Sequence, residues 1–251
     1  MVTTKHRYKV RLCFEGTRYS GWQRQANCLT LQETLENCFS DQLERTTPLR
    51  GSSRTDAGVH AQDFVAHFDS PVEINTLSPL LNNLNAHLPQ DIRIISIEKA
   101  PPAFHACFSA KKKTYTYRFQ ETLISPFKRH LITHINKPLC LASLKQGIPY
   151  FIGHHNFSAF ANASNKGSAK NQPFKTIYSI ELAKEEDHYT LKFSGDGFLY
   201  KMVRNMVGAL FAVGQQQLSP DAIAALIESK DRKQAPPPAP ARGLCLEKVF
   251  Y

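Results

Sequence analysis

The sequence predicts an α+β fold in two successive domains of 1–103 and 104–251. Two observations carry this prediction. Short stretches whose apolar residues alternate, as in strands, are interleaved with stretches whose apolar residues recur at helical spacing. Pro101 and Pro102 then interrupt the middle of the chain, and a second set of strands and helices follows them. With 251 residues, of which 42% are hydrophobic, the chain is long enough for two cores.

The first half begins with the strand YKVRLCF, residues 8–14, whose alternate residues are apolar. Lys9 and Arg11 share the other face of this strand, which predicts a basic surface there. Thr30 and Glu33 form a capping box before a helix whose apolar stripe continues to Leu43. Further strands are predicted near 62–68 and 92–97, with a short helix over 77–84 between them.

The second half begins with the alternating strand TYTYRF, residues 114–119. After it the pattern predicts a helix over 141–151, a polar loop over 162–173, strands over 174–183 and 188–194, and helices over 199–213 and from Ser219. A proline-rich stretch then leads into a strand that ends at Tyr251. This stretch is either a spacer before an edge strand or a rigid loop that lines a cleft.

Composition indicates the class of binding partner and the cellular compartment. A net charge of +10 favours a polyanionic partner, since each neutralised phosphate releases counterions. No apolar run approaches the roughly 18 residues of a membrane span, and the N-terminus has no apolar core of a signal peptide, so we expect a cytoplasmic protein. The six scattered cysteines are expected to be reduced and mostly buried. We expect no metal and no cofactor, because ligand clusters and nucleotide-binding glycine motifs are missing from the sequence.

The stretch GSSRTDAGVHA, residues 51–61, is the strongest candidate site. It places one carboxylate, Asp56, two residues from Arg54, and metal-assisted phosphoryl chemistry usually needs more than one carboxylate. A neighbouring guanidinium keeps a carboxylate ionised, which suits a nucleophile or a permanently charged base. A surface salt bridge in a turn is the alternative.

A second candidate lies in FLYKMVRNMVGAL, residues 198–210, where Arg204 is embedded in an apolar helical stripe. A buried arginine is costly unless it is paired, and Asp56 is a candidate partner. A solvated arginine on the outer face of the helix remains the other reading.

The stretch KKKTYTYRF combines three lysines with two tyrosines on one strand face. Lysines can hold phosphates and an aromatic ring can stack on a base, although the spacing alone favours Tyr115 and Tyr117 as core residues. Trp22, close to Arg24 and Gln25, presents the same choice.

These stretches resemble the TruA family of tRNA pseudouridine synthases. The resemblance rests on GSSRTDAGVHA, GWQRQ, NLNAHLPQDI, FHACFSAKKKTYTYRF, FLYKMVRNMVG and the proline-rich tail into GLCL, which occur in this order from residue 21 to about 246. It implies a two-domain pseudouridine synthase fold, with mixed or antiparallel sheets flanked by helices and a basic cleft between the domains. It also implies a homodimer that needs no cofactor and isomerises uridine in the anticodon stem-loop of tRNA, at positions 38–40.

By the same resemblance, the catalytic residues are Asp56, Arg54, Tyr115 and Arg204. RNA contacts are expected from Arg24, Gln25, His60, Lys111, Lys112, Lys113 and Lys201. The sequence departs from the family pattern at Ser53, at Lys201 and at Cys107, which stands where an arginine is usual, and these changes affect the grip on the substrate more than the Asp56 stretch. The alternative function is a non-catalytic RNA-binding protein or tRNA chaperone with the same fold; a metal-dependent nuclease is disfavoured because carboxylates are not clustered.

Overall fold

The computed structural model describes residues 5–162 and 172–251, so most of the predicted polar loop over 162–173 lies outside the described residues. The chain divides into two compact units, Met1–Lys111 with Leu246–Tyr251, and Lys112–Cys245. The predicted boundary between residues 103 and 104 stays a prediction. The strands and helices of both units confirm the α+β class.

The first unit is an antiparallel sheet with two helices. Its elements are β1 His6–Phe14, α1 Leu31–Leu43, β2 Arg50–Gly51, β3 His60–Ser70, α2 Leu77–His87, β4 Ile92–Ala100 and β10 Leu244–Phe250, which joins this unit from Leu246 on. The strand order is β4-β1-β3-β10, and β2 pairs with β3. Phe39 of α1 packs edge-on against Phe68 of β3 at 5.2 Å, so α1 covers the apolar face of the sheet.

The opposite face of β1 corrects one prediction from the sequence. Lys9 pairs with Glu98 of β4 at 2.8 Å, and Arg11 pairs with Asp63 of β3 at 2.9 Å. The predicted basic face is therefore a row of cross-strand ion pairs, because the register places carboxylates of both neighbouring strands beside it.

The second unit is a sheet of β5-β9-β8-β7, in which every pairing along this order is antiparallel, with the short β6 parallel to β5. Its elements are β5 Lys112–Gln120, β6 Thr133–His134, α3 Leu141–Gly147, β7 Gly153–Asn156, β8 Phe174–Lys184, β9 Tyr189–Gly195, α4 Met202–Gly214 and α5 Ala222–Ser229. Helix α4 supplies much of the core, with Met202, Met206, Val207 and Leu210 fully buried.

Two predicted helices differ in their ends. The helix predicted over 141–151 is α-helical only to Gly147 and continues as a 3-10 turn over Ile148–Phe151, because Pro149 has no N–H to extend the α-helical ladder. The helix predicted from residue 199 begins at Met202, since Lys201 before it has a left-handed backbone with φ 61°.

The cysteines correct a further expectation. All six are free thiols, but only Cys245 is buried, and Cys13, Cys28, Cys38, Cys107 and Cys140 are partly exposed. Within the described ranges, every helix is too short or too polar to cross a membrane.

Candidate active site

Asp56 lies in the loop between β2 and β3, here called the Asp56 loop (residues 52–59). Arg54 is exposed and Asp56 is partly buried. The loop ends in a turn, in which the Val59 N–H donates to the carbonyl of Asp56 at 3.2 Å and Gly58 takes a positive φ of 76°. The polypeptide therefore leaves Asp56 through a tight turn that returns it at once to strand β3.

Backbone contacts hold the Asp56 loop against residues 15–22. The Trp22 N–H donates to the Thr55 carbonyl at 3.0 Å, and the Gly58 N–H donates to the Tyr19 carbonyl at 3.3 Å. A Cβ atom on Gly16 would lie 2.0 Å from the Val59 carbonyl oxygen. Two backbones meet there without room for a side chain, which the sequence prediction missed.

A second glycine makes the same kind of contact nearer to the carboxylate. Gly21 has a positive φ of 91°, and a Cβ atom on it would lie 2.5 Å from the Thr55 carbonyl oxygen and 3.1 Å from the carbonyl carbon of Asp56. Only glycine meets both requirements, so Gly21 fixes the backbone that carries Asp56. The turn-like sequence GTRYSG was the available signal for both glycines.

His60 supports this loop from the interior. Its side chain is only 4% exposed, and its Nδ1 accepts a hydrogen bond from the Gly16 N–H at 3.0 Å. His60 therefore supports the loop from the interior, and its expected RNA contact stays a prediction.

The structure resolves the choice at Trp22. The indole is 2% exposed and stacks on Phe64 at 4.3 Å, so Trp22 is a core residue and its reading as a stacking platform is wrong. Arg24 is half-exposed and pairs with Glu33 at 3.0 Å and Glu36 at 3.4 Å. Gln25 donates to the Ser20 carbonyl at 3.2 Å.

The two tyrosines of β5 have different environments. Tyr117 is fully buried, and its hydroxyl lies 2.9 Å from Thr133 Oγ1 and donates to the Pro240 carbonyl at 2.9 Å. Burial raises the pKa of Tyr117, which stays protonated as a core residue. Tyr115 is 8% exposed and meets Phe198 edge-on at 5.1 Å. Tyr115 therefore keeps a defined ring orientation.

Solvent exposure decreases along the three lysines that precede Tyr115. Lys111 is exposed, Lys112 is partly buried and Lys113 is 8% exposed. Lys111 therefore offers the most surface of the three to a phosphate. Lys201 lies at the start of α4, with its Nζ 5.2 Å from the centroid of the Tyr200 ring.

Arg204, on the first turn of α4, is bound to a segment of residues 234–243 here called the proline segment. The Arg204 Nε donates to the Ala239 carbonyl at 2.7 Å, and the Ala239 N–H donates to the Arg204 carbonyl at 2.9 Å. The proline segment is thus fastened to the helix turn that carries the predicted catalytic arginine. The sequence allowed this segment to be either a spacer or a rigid loop that lines a cleft. These contacts disfavour the spacer.

Arg232 and Asn205, which sequence reasoning missed, extend this attachment. Arg232 donates from Nη1 to the Ala235 carbonyl at 2.7 Å, and from Nη2 to the Pro236 carbonyl and to Asn205 Oδ1, both at 2.9 Å. Asn205 is fully buried and donates to the Phe160 carbonyl at 2.7 Å. The available signal was the asparagine next to Arg204 in MVRNMVG.

Gly208 lets the proline segment approach α4. A Cβ atom on Gly208 would lie 2.1 Å from the Pro237 carbonyl oxygen. Gly208 follows Arg204 by one helical turn, so both residues face the segment from the same side of the helix.

The α+β fold, with Asp56 on a loop that also carries Arg54, agrees with the pseudouridine synthase class that the sequence resemblance implies. A sequence model of the family described as tRNA pseudouridine synthase matches residues 148–251.

Relatives match nearly the whole chain. A tRNA pseudouridine synthase A 1 of Protochlamydia amoebophila is 40% identical over 248 residues, 98% of this chain and 96% of that protein. A tRNA pseudouridine synthase A of Clostridium kluyveri is 39% identical over 97% of this chain and 98% of its own length. A tRNA pseudouridine synthase A 2 of Bacillus cereus is 39% identical over 98% of this chain and 100% of its own length. The chain therefore belongs to the TruA family of tRNA pseudouridine synthases.

Proposed function

We propose that this chain isomerises uridine to pseudouridine in tRNA, at positions 38–40 of the anticodon stem-loop. Membership of the family supports the reaction, and the single observation that carries it is the Asp56 carboxylate on a loop held by Gly16 and Gly21. A reactive group needs a fixed position, because misplacement lowers the rate steeply.

The reaction balances without any co-reactant. The N1–C1′ bond of uridine breaks, the freed uracil turns, and a C5–C1′ bond forms while the C5 proton is released and N1 gains a proton. Neither an oxidant nor an external energy source is needed. The protein must supply an ionised carboxylate that acts on the ribose or the base, and Asp56 is assigned this role.

The remaining catalytic assignments follow the same chemistry. Arg54 and Arg204 keep the Asp56 carboxylate ionised through their positive charge. Tyr115 holds the detached uracil with its ring, whose orientation Phe198 restrains at 5.1 Å. The target nucleotide must leave its stack, which costs a few kcal/mol that phosphate contacts offset.

The substrate is held by basic and polar side chains. We assign these contacts to Arg24, Gln25, Lys111, Lys112, Lys113 and Lys201, and we assign the protein to the cytoplasm as a homodimer. A positively charged chain is steered to a polyanion at long range, in agreement with its net charge of +10.

Replacement of the carboxylate tests this function. In Asp56→Ala we expect no pseudouridine in unmodified tRNA transcripts, while tRNA affinity stays within about tenfold of the parent because phosphate contacts dominate binding. The measurement is mapping of pseudouridine along the RNA, together with a binding titration.

The matched control is Asp41→Ala, which removes an exposed carboxylate from α1 and should leave activity unchanged. Residual activity in Asp56→Ala equal to the parent's would reject the assignment of Asp56. A parent chain that binds tRNA but forms no pseudouridine would instead support the non-catalytic RNA-binding alternative.

A further inference from the structure

The first unit contains a cavity that the proposed chemistry does not use. It has a volume of about 320 Å³ and lies at the far end of β3 from the Asp56 loop. The polar side chains that line it include Lys5, Arg50, His67 and Asp69. Arg50 is brought there by β2, in which it pairs with His67 of β3.

The charge around this cavity is positive. Asp69 is bound by Arg7 through two hydrogen bonds, from Nε to Oδ1 at 2.7 Å and from Nη2 to Oδ2 at 2.8 Å, so this carboxylate is already neutralised. Lys5 and Arg50 are exposed, and in residues 5–162 and 172–251 no carboxylate lies within ion-pair distance of either. Two uncompensated cations therefore border one concave surface.

His67 adds a donor that carries no charge. Its side chain is 3% exposed, and its Nδ1 accepts a hydrogen bond from the Ala106 N–H at 3.2 Å. Burial, together with the charges of Arg7 and His105, lowers the pKa of His67 to about 4, so the ring is neutral at pH 7.

The tautomer follows from these contacts. Because Nδ1 of the neutral ring accepts, the proton must reside on Nε2, which can donate. Within the described part of the chain, no hydrogen bond is made by His67 Nε2. His67 lines the cavity, so this donor is available to an acceptor placed there.

We propose that this cavity binds a phosphate group of the tRNA backbone. Lys5 and Arg50 supply the charge that replaces the counterions of the phosphate, and His67 Nε2 donates a directed hydrogen bond to one of its oxygens. The proposal rests on the proposed function only in taking tRNA as the source of the phosphate. As β3 runs from the Asp56 loop to this cavity, the contact anchors RNA outside the reaction centre.

The salt dependence of tRNA binding tests this site. In Arg50→Gln we expect weaker binding to every tRNA. The slope of log K plotted against the logarithm of the salt concentration should be smaller in magnitude by about one, because one phosphate contact is lost. Lys5→Gln should change the slope in the same direction. Binding is measured by fluorescence anisotropy over a series of KCl concentrations.

The control is Lys145→Gln, which removes an exposed cation on α3 and should keep the slope of the parent. An Arg50→Gln slope equal to the parent's overturns the proposal. A second result would also overturn the proposal. Inorganic phosphate, at constant ionic strength, would raise the melting temperature of the parent but not that of Arg50→Gln, and the salt slope of tRNA binding would be the same for both proteins. The occupant would then be a free phosphate.

Pseudouridine formation by the parent is measured in parallel, so that the two proposals can fail separately. A slope difference with no product from the parent contradicts the proposed function and still supports the phosphate site. Product from the parent without a slope difference contradicts the phosphate site alone.

Discussion

The Asp56 loop and the proline segment are two irregular segments that share a close backbone approach, at Gly16 and at Gly208, but differ in their side-chain support. The Asp56 loop rests backbone to backbone on residues 15–22, with Gly16 and Gly21 leaving no space for a side chain. The proline segment is held by side-chain donors, since Arg232, Arg204 and Tyr117 each donate to one or more of its carbonyls.

This difference follows from the sequences of the two segments. Residues 236–238 and residue 240 are prolines, which have no N–H, so these residues cannot donate to a ladder and their carbonyls need donors from elsewhere. Every residue of the Asp56 loop has an N–H group. Those of Gly58 and Val59 donate to the carbonyls of Tyr19 and Asp56. Loss of side-chain donors should therefore affect the proline segment more than the Asp56 loop, whose support comes from close backbone contacts.

Gly16→Ala should have the largest effect on stability. The new Cβ would lie 2.0 Å from the Val59 carbonyl oxygen. Val59 cannot move away easily, because the side chain of the adjacent His60 accepts a hydrogen bond from the Gly16 N–H. We expect a loss of at least about 3 kcal/mol in the free energy of unfolding, since overpacking against backbone is not relieved by a rotamer change. Urea denaturation measures this loss.

Gly197→Ala is the matched control, because its new Cβ would lie 3.7 Å from the nearest atom, in ordinary contact with Lys175. We expect its free energy of unfolding to stay within about 1 kcal/mol of the parent. Equal effects of the two substitutions would show that the close approach at Gly16 does not hold the Asp56 loop.

Much of the fold could be predicted from local pattern. The strand over residues 8–14 and the helix after Thr30 are present, and Thr30 Oγ1 accepts from the Glu33 N–H at 3.4 Å as a cap should. The reciprocal arm of the capping box was wrong, because the Glu33 carboxylate binds Arg24 instead. That contact joins residues outside the helix, and helical spacing carries no information about it.

The site was less predictable, since its supports depend on residues distant in sequence. The motif at residues 51–61 identified the Asp56 loop, but nothing local indicates that Gly16 must fit against Val59. Trp22 and Tyr117 were compatible with either the core or a base-stacking role, and only their burial distinguishes the two. Whether Asp56 pairs with Arg204 stays a prediction.

Arg232→Ala tests the donors of the proline segment and should have an intermediate effect. It removes hydrogen bonds to two carbonyls of the segment and leaves Asn205 Oδ1 without its guanidinium partner in the interior. We expect a loss of about 2–4 kcal/mol in the free energy of unfolding, as bonds from a charged donor are lost and their acceptors stay desolvated.

Arg232→Lys should recover only part of this loss, because an ammonium group cannot reproduce the planar fork that meets four acceptors. Lys233→Ala, the exposed neighbour, is the control and should stay within about 0.5 kcal/mol of the parent. Hydrogen exchange at the Ala239 N–H should become faster in Arg232→Ala. An unchanged exchange rate would contradict the role of Arg232 in holding the segment.

Tyr117→Phe should have the smallest effect, because it deletes one hydroxyl and keeps the buried ring. The hydroxyl joins Thr133 Oγ1 to the Pro240 carbonyl, each at 2.9 Å, so its loss leaves both without this partner. We expect a loss of about 1 kcal/mol in urea denaturation, the net value of an ordinary hydrogen bond. The control is Tyr178→Phe, whose 50% exposed side chain should lose only a few tenths, since water replaces a surface contact. Equal values for the two variants would mean that the Pro240 end of the segment is positioned without Tyr117, and that the donors on α4 and at Arg232 hold it alone.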